Sequence, residues 1–235
     1  MYDIIRKAEL FDWWEAGLAD KNAWHLKGIQ DAWIVSELRN AEGLRICEVG
    51  GGDSRVLRRL ADKNTCVNVD RFEGAGNGPQ DVPEIAGVEI VRSFMGDFDP
   101  ALEDSSFDVL FSISVIEHVA DEDVPACFRD MARLLKPGGR MLHAIDVYLH
   151  DDWCDMQPEL AGRIGLYHEA AMQEGMGLQW VESPMVGQGV RFRSEYATNS
   201  DQQLANWNRI VPHLRQQRAV TQNCSLKIAL VKEDG

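Results

Sequence analysis

No run in the 235-residue sequence approaches the roughly 18 consecutive apolar residues of a membrane-spanning helix, which excludes a membrane span as an expectation. Cysteine is scarce. The five residues, Cys47, Cys66, Cys127, Cys154 and Cys224, are odd in number, scattered, and include no C-x-x-C pair, which argues against a disulfide framework and a zinc site. Cys47 and Cys66 fall in strand-like apolar runs, where a free thiol packs as a small hydrophobe, so a reducing cytoplasm is the expected setting. Positive charge is also short: 24 basic against 38 acidic residues give a formal charge of -14. A surface of that sign suits neither a nucleic-acid backbone nor an anionic membrane, and neither is expected as a partner. The opening "MYDIIRKAELFDWW" has charges within its apolar pattern and no small-residue cleavage site, unlike a secretory signal.

What is present is the alternation of a parallel α/β protein. Residues 1–40 read as two helices, with Ile4, Ile5, Ala8, Leu10 and Phe11 starting an apolar stripe and Trp24, Leu26, Trp33, Ile34 and Leu38 continuing at helical spacing. They form an N-terminal helical cap, either packed on the main domain or lying over its mouth as a flap. From residue 44 onward, short Val-, Ile- and Leu-rich runs read as strands: 44–49, 65–70, 88–93, 107–114 and 140–146. Helices are expected at Ser54–Lys63 and Val124–Leu135, the latter stopped by "KPGG". A weak strand, "LQWVES", and a strong final one, "SLKIALVK" (225–232), flank an insert at 187–224 with a helix near Gln202–Leu214. Residues 73–84, rich in Gly and Pro, read as a loop. The expected fold is a Rossmann-like, seven-stranded, mostly parallel sheet with helices on both faces. Residues 41–235 form the main domain, and the insert is a possible substrate cap.

The stretch "LRICEVGGGDSRVL" (44–57) runs from a strand through three glycines into a helix, the kind of turn that lets a nucleotide approach the backbone. Read as a dinucleotide motif, Gly50-x-Gly52 needs a third glycine at 55, where Arg55 stands. Asp70, about 20 residues on, is placed for ribose hydroxyls and does not separate NAD from an adenosyl ligand. Glu48 does. A carboxylate two residues before the first glycine would oppose a diphosphate and suit a ligand bearing an ammonium and a sulfonium. Asp97, next to Phe98 after the third strand, is placed to accept from an adenine amino group.

In order, "EVGGGDS", "VNVD", "GDFDPALEDSSFDVLFSISVIEHV" and "LLKPGGRMLHAID" resemble a class I S-adenosylmethionine-dependent methyltransferase of the type acting mostly on small molecules. The resemblance spans about residues 44–146 and makes S-adenosyl-L-methionine the expected cofactor. It implies that Glu48 and the Gly50, Gly51 and Gly52 loop hold the methionine portion. Asp70 would take the ribose, Arg71 and Phe72 flank the adenine, and Asp97 with Phe98 read it. Ser112 would lie near the methionine amino group. Ser54 stands where the family commonly has another glycine, and a capping serine is expected to alter packing without abolishing binding.

Methyl transfer needs a general base chiefly when the nucleophile is a hydroxyl or an acidic carbon. Candidates after the fourth and fifth strands are His118, Asp146 and His150, with Tyr148 as a substrate contact; His143 alternates into its strand as a core residue. "HDD" (150–152) invites a metal, but the magnesium-dependent catechol-type relatives also need an acid where Ser112 and Ser114 stand, so none is expected. In the insert, Arg191 and Arg193 would share a strand face and clamp an anionic acceptor. Tyr167 and His168, beside another helix, remain open. The leading expectation is methylation of a small molecule at oxygen, nitrogen or carbon. The alternatives are an NAD-dependent oxidoreductase and a non-catalytic S-adenosylmethionine-binding module. The acceptor and the oligomeric state do not follow from the residues.

Overall fold

The β-branched runs picked out above form strands because both faces of the sheet are covered, so each residue, odd or even, finds an apolar layer. The computed structural model describes residues 2–22, 25–74, 78, 80–150, 158–182, 192–200, 207–208 and 210–234. Its strands are β1 (Tyr2–Ile4), β2 (Arg45–Val49), β3 (Thr65–Val69), β4 (Val88–Val91), β5 (Phe107–Ile113), β6 (Leu135–His150), β7 (Leu178–Trp180) and β8 (Thr221–Lys232). The helices are α1 (Lys7–Glu15), α2 (Leu26–Glu37), α3 (Leu57–Leu60), α4 (Val124–Leu134), α5 (Pro158–Ala171) and α6 (Arg215–Val220). Strand order is β1-β8-β6-β5-β2-β3-β4, with β7 also on β8. The block from β4 to β6 is parallel, whereas β8 runs antiparallel to β6, β1 and β7.

Two apolar layers sandwich the sheet. Cys47, Val49, Val67, Leu110 and Met141 pack with Phe128, Met131 and Tyr167 of α4 and α5. Ile46, Cys66, Val109, Phe111 and Leu142 pack on the other face with Leu57, Trp14, Trp33 and Ile34 of α3, α1 and α2. The N-terminal helices therefore supply part of a core layer; Trp24 lies outside the described residues.

Three elements differ from the sequence reading, the first two through pairing with β8. Residues 2–4 form a strand, because β8 offers them a free edge on which Tyr2 pairs with Ile228 and Ile4 with Leu226. β6 runs from 135 to 150, beyond the expected 140–146, because its antiparallel pairing with β8 continues from Arg140–Val231 to His150–Thr221. α3 is a single turn, and Ser54 lies before it. Most of the helix expected at 202–214 lies outside the described residues; the described chain there has a 3-10 turn at Pro212–Leu214 leading into α6.

Helix α5 carries Gly162, which is exposed, and a Cβ added there would meet nothing within 4 Å. Gly162→Ala is expected to raise stability by ~0.5–1 kcal/mol, since alanine loses less backbone freedom in a helix. Urea denaturation checks this, and a destabilised variant would contradict the exposed helical placement.

Candidate active site

Register fixes the geometry of the site. Glu48 pairs with Asn68 on one side and Phe111 on the other, and Val49 pairs with Ser112, so β2, β3 and β5 end level with one another. The chain leaving β2 turns sharply through Gly50 and Gly52, with φ of +66 and +52°, a region that disfavours side chains. Gly50 N–H donates to Val69 O at 2.7 Å. Asn68, fully buried in β3, accepts from Gly51 N–H at 3.1 Å and donates to Gly52 O at 2.8 Å. Asp70 accepts from Gly52 N–H at 3.0 Å and from Phe72 N–H at 2.8 Å. A Cβ on Gly51 would lie 2.7 Å from Asn68 Oδ1 and 2.8 Å from Glu48 Cδ, so the loop rests directly on these two side chains.

Glu48 is buried beneath this loop. Burial, resisted by a hydrogen bond from Ser54, pushes its carboxyl up to about 8. The Ser54 hydroxyl donates to Glu48 Oε2 and accepts from Leu57 N–H at 2.9 Å. Ser54 thus holds the first N–H of α3 from two residues before its N-cap, Val56, and pins the acid. Arg55, where a dinucleotide motif has glycine, donates to both Asp31 oxygens of α2 at 2.6 and 2.9 Å and ties the loop to the N-terminal helices.

Along the rim, Arg71 pairs with Asp97 at 3.2 Å and covers the Phe94 ring at 4.2 Å. Phe72 turns its ring into the protein, whereas Phe98 leaves 43% of its surface exposed. The Asp97 turn is held from below. Asp130 of α4, itself 1% exposed, accepts from Gly96 and Phe98 N–H at 2.8 and 3.1 Å and from Arg133 at 2.8 and 3.0 Å. Four non-glycine residues among those described have positive φ, and three of them, Phe72, Phe98 and Ser114, sit at these strand ends. Such strain gathers where a site over-determines the backbone.

The remaining candidates divide. Ser112 is fully buried and shares a 2.8 Å hydrogen bond with His143 Nδ1 on the α4 face, so its hydroxyl faces away from the loop. Burial drives His143 down to about 3, which keeps it neutral. His118 ends a one-turn 3-10 helix and is exposed. Its neighbour Glu117 turns inward and accepts from Asp146 N–H at 3.0 Å. Asp146, Tyr148 and His150 alternate onto the α2 face of β6. Gln30 of α2 donates to Asp146 at 2.8 Å, Ser114 Oγ lies against the same carboxylate, and Arg218 covers the Tyr148 ring at 4.8 Å. Arg193 lies in a turn rather than a strand, paired with Glu195 at 3.3 Å. Arg191, Cys154, Asp151 and Asp152 lie outside the described residues. Tyr167 and His168 close the last turn of α5, with Tyr167 buried and His168 stacked on Trp180.

Asn68, Asp130, Gln30 and Glu117 escaped the sequence reading. Each left one trace: a polar residue inside an apolar run ("TCVNVD", "GIQDAWIV"), an i, i+3 acid–base pair on α4, and an acid directly before His118 in "VIEHV".

Residues 47–143 match the family model described as a methyltransferase domain. A ubiquinone biosynthesis O-methyltransferase from Maricaulis maris (strain MCS10) is 34% identical over 119 residues, 49% of this chain and 46% of that protein. The chain spans about half the length of the curated relatives it matches. Among solved structures, a Galdieria sulphuraria protein assigned as a sarcosine dimethylglycine methyltransferase superposes with a TM-score of 0.56 at 16% identity, over 97% of this chain and 98% of that one. Geranyl diphosphate C-methyltransferase from Streptomyces coelicolor A3(2) gives 0.55 at 13%, over 86% and 78%. These two likenesses bear on the fold. The matched residues form the glycine loop, its acids and most of strands β2 to β6, and this part of the chain is similar to a methyltransferase domain.

Proposed function

We propose that the protein transfers a methyl group from S-adenosylmethionine to a small-molecule acceptor, at a hydroxyl oxygen. The observation that carries the cofactor reading is Glu48, a carboxyl buried under the glycine loop and held near neutrality of charge until a cation arrives. A diphosphate in that place would meet an acid; an amino acid ammonium would ionise it. In this reading Glu48 and Gly50–Gly52 hold the methionine portion and Asp70 the ribose. Arg71, Phe72, Asp97 and Phe98 frame the adenine. Ser112 contributes through its main chain, its hydroxyl being taken by His143. The bound cofactor supplies a methyl group already activated on a sulfonium. The protein then needs chiefly to align the acceptor and exclude water, an effect that reaches effective molarities of ~10⁵ M or more. His118, Asp146, Tyr148, His150, Arg191 and Arg193 remain the acceptor-side candidates. The choice of oxygen is supported by the O-methyltransferase names of the curated relatives.

Titration calorimetry with S-adenosylmethionine, S-adenosylhomocysteine and NAD tests the reading: both adenosyl ligands should bind, and binding of NAD alone overturns it. The same experiment has a pH signature. Unliganded Glu48, with its midpoint pushed up to about 8, is mostly protonated at pH 7, and an ammonium favours the ionised form. Binding should therefore release a proton, and affinity should rise about tenfold per pH unit from 6 towards 8, then level off. Heats measured in two buffers of different ionisation enthalpy count the proton. Uptake instead of release would contradict a cation at Glu48.

A further inference from the structure

The turn after β5, Val115-Ile116-Glu117-His118, touches the glycine loop directly: a Cβ on Gly50 would lie 2.7 Å from both Val115 γ-carbons. Two residues further, Glu117 faces inward and its exposed neighbour His118 does not. The glutamate is held firmly. Its Oε1 accepts the Asp146 main-chain N–H at 3.0 Å, and Arg163 of α5 fastens the turn by donating to the carbonyls of Ile116 and Val119 at 2.7 and 2.6 Å. Its Oε2 is buried without a hydrogen-bond partner. The facing carboxylate, Asp146, is engaged by Gln30 and Ser114. Of the two acids, Glu117 is the one with a buried acceptor oxygen to spare, and such an atom is costly unless something uses it.

Other elements set its proton affinity. Burial first, then the charge of Asp146 on β6, pushes the Glu117 carboxyl up to about 7, while Lys27 of α2 works the other way. Tyr167 of α5, over which Arg163 stacks, also faces the glutamate and is itself pushed up to about 12, chiefly by burial.

The geometry points to Glu117 as the catalytic base that takes the proton of the acceptor, an uncharged hydroxyl of phenolic type. This rests on the methyl-transfer reading above. The acceptor O–H bond breaks and its proton passes to Glu117 Oε2. The electron pair left on oxygen forms the new O–C bond, the C–S pair departs with sulfur as a neutral thioether, and Glu117 returns the proton to water. A protonated amine suits the place less well. Two neighbouring carboxylates would hold it in its charged form, which has no lone pair for attack.

Two measurements test the assignment. In the cofactor-free protein, carbon-13 NMR of labelled glutamate carboxyls, assigned with Glu117→Gln, should show one group titrating near pH 7 that the variant lacks. A Glu117 midpoint in the ordinary carboxylate range overturns the proposal without any turnover being measured. The second is transfer to catechol, 3,4-dihydroxybenzoate and benzylamine across pH 5.5–9. With S-adenosylmethionine saturating at every pH, so that the Glu48 effect on its affinity drops out, the wild type should methylate a phenol with kcat/KM for the phenol falling below about pH 7. Glu117→Gln should lower kcat by roughly 10²–10⁴-fold and lose that acid limb, with S-adenosylhomocysteine affinity within threefold as proof of folding. Glu117→Asp should keep the limb at reduced kcat, so the test survives if the glutamine variant fails to fold. A limb that persists in Glu117→Gln and vanishes in His118→Ala makes the exposed histidine the base and overturns the proposal. Transfer to benzylamine but to neither phenol overturns the acceptor class. Failure of adenosyl ligands to bind is seen separately by calorimetry and overturns the underlying reading.

Discussion

Gly51→Ala is expected to weaken binding of S-adenosylmethionine about 100-fold, a change of ~3 kcal/mol, while the protein still folds. The cause is steric. The added Cβ would stand 2.7 Å from Asn68 Oδ1 and 2.8 and 2.9 Å from the Glu48 side chain, closer than real contacts of this kind. Neither neighbour can step aside, since Asn68 is bonded to both sides of the loop and Glu48 is pinned by Ser54. The loop must therefore lift, carrying Gly52 N–H away from Asp70. Calorimetry gives the affinity and circular dichroism the fold. Unchanged binding would mean that the cofactor does not lie against this loop.

Asp130→Ala should produce the largest loss of stability, ~3–5 kcal/mol, because it leaves Arg133 without its buried partner and removes the acceptor for Gly96 and Phe98 N–H. Arg133 retains Asp104, exposed at the surface, and the carbonyl of Leu102 at 2.8 Å, which limits the damage to this range. Because the Asp97 turn loses its anchor, adenosyl affinity should fall even well below the unfolding temperature. Chemical denaturation and calorimetry read the two effects. A destabilised protein with wild-type affinity would show that the Asp97–Phe98 turn does not touch the cofactor.

The strands were legible because burial on both faces leaves a simple mark: a short apolar run ended by a turn residue, as in "LRICEV" before three glycines. The positions of Glu48, Asp70 and Asp97 were legible for a related reason: Glu48 is the one acid inside the "LRICEV" run, Asp70 directly follows β3, and Asp97 lies in the turn after β4. The supports of that rim were not. Asn68 works on residues 16 and 17 positions away, Asp130 on residues 32 and 34 away, and Gln30 on a carboxylate 116 away. Each acts by a single side-chain hydrogen bond pattern that local periodicity cannot encode. Arg55 misled in a useful way. Its presence argued against a dinucleotide, but its partner, Asp31, belongs to a helix whose packing was unknown from spacing alone. The length of β6 was hidden because its outer third is held by β8, some 75 residues later, and by nothing within its own neighbourhood.

Strand β8 has neighbours along both edges: β6 on one side, and β1 and β7 sharing the other. Residues 2–4 can find their places only against residues 226–228, so the first and last strands of the sheet are joined by closing almost the whole described chain into a loop. Such a contact is among the most expensive in chain entropy and is reached late. The parallel block from β4 to β6 can assemble before it, leaving the long far edge of β6 briefly bare. On a ribosome that edge stays uncovered until the C-terminal strand emerges, which makes β6 the place where a nascent chain of this protein would first meet a chaperone or an unwanted neighbour.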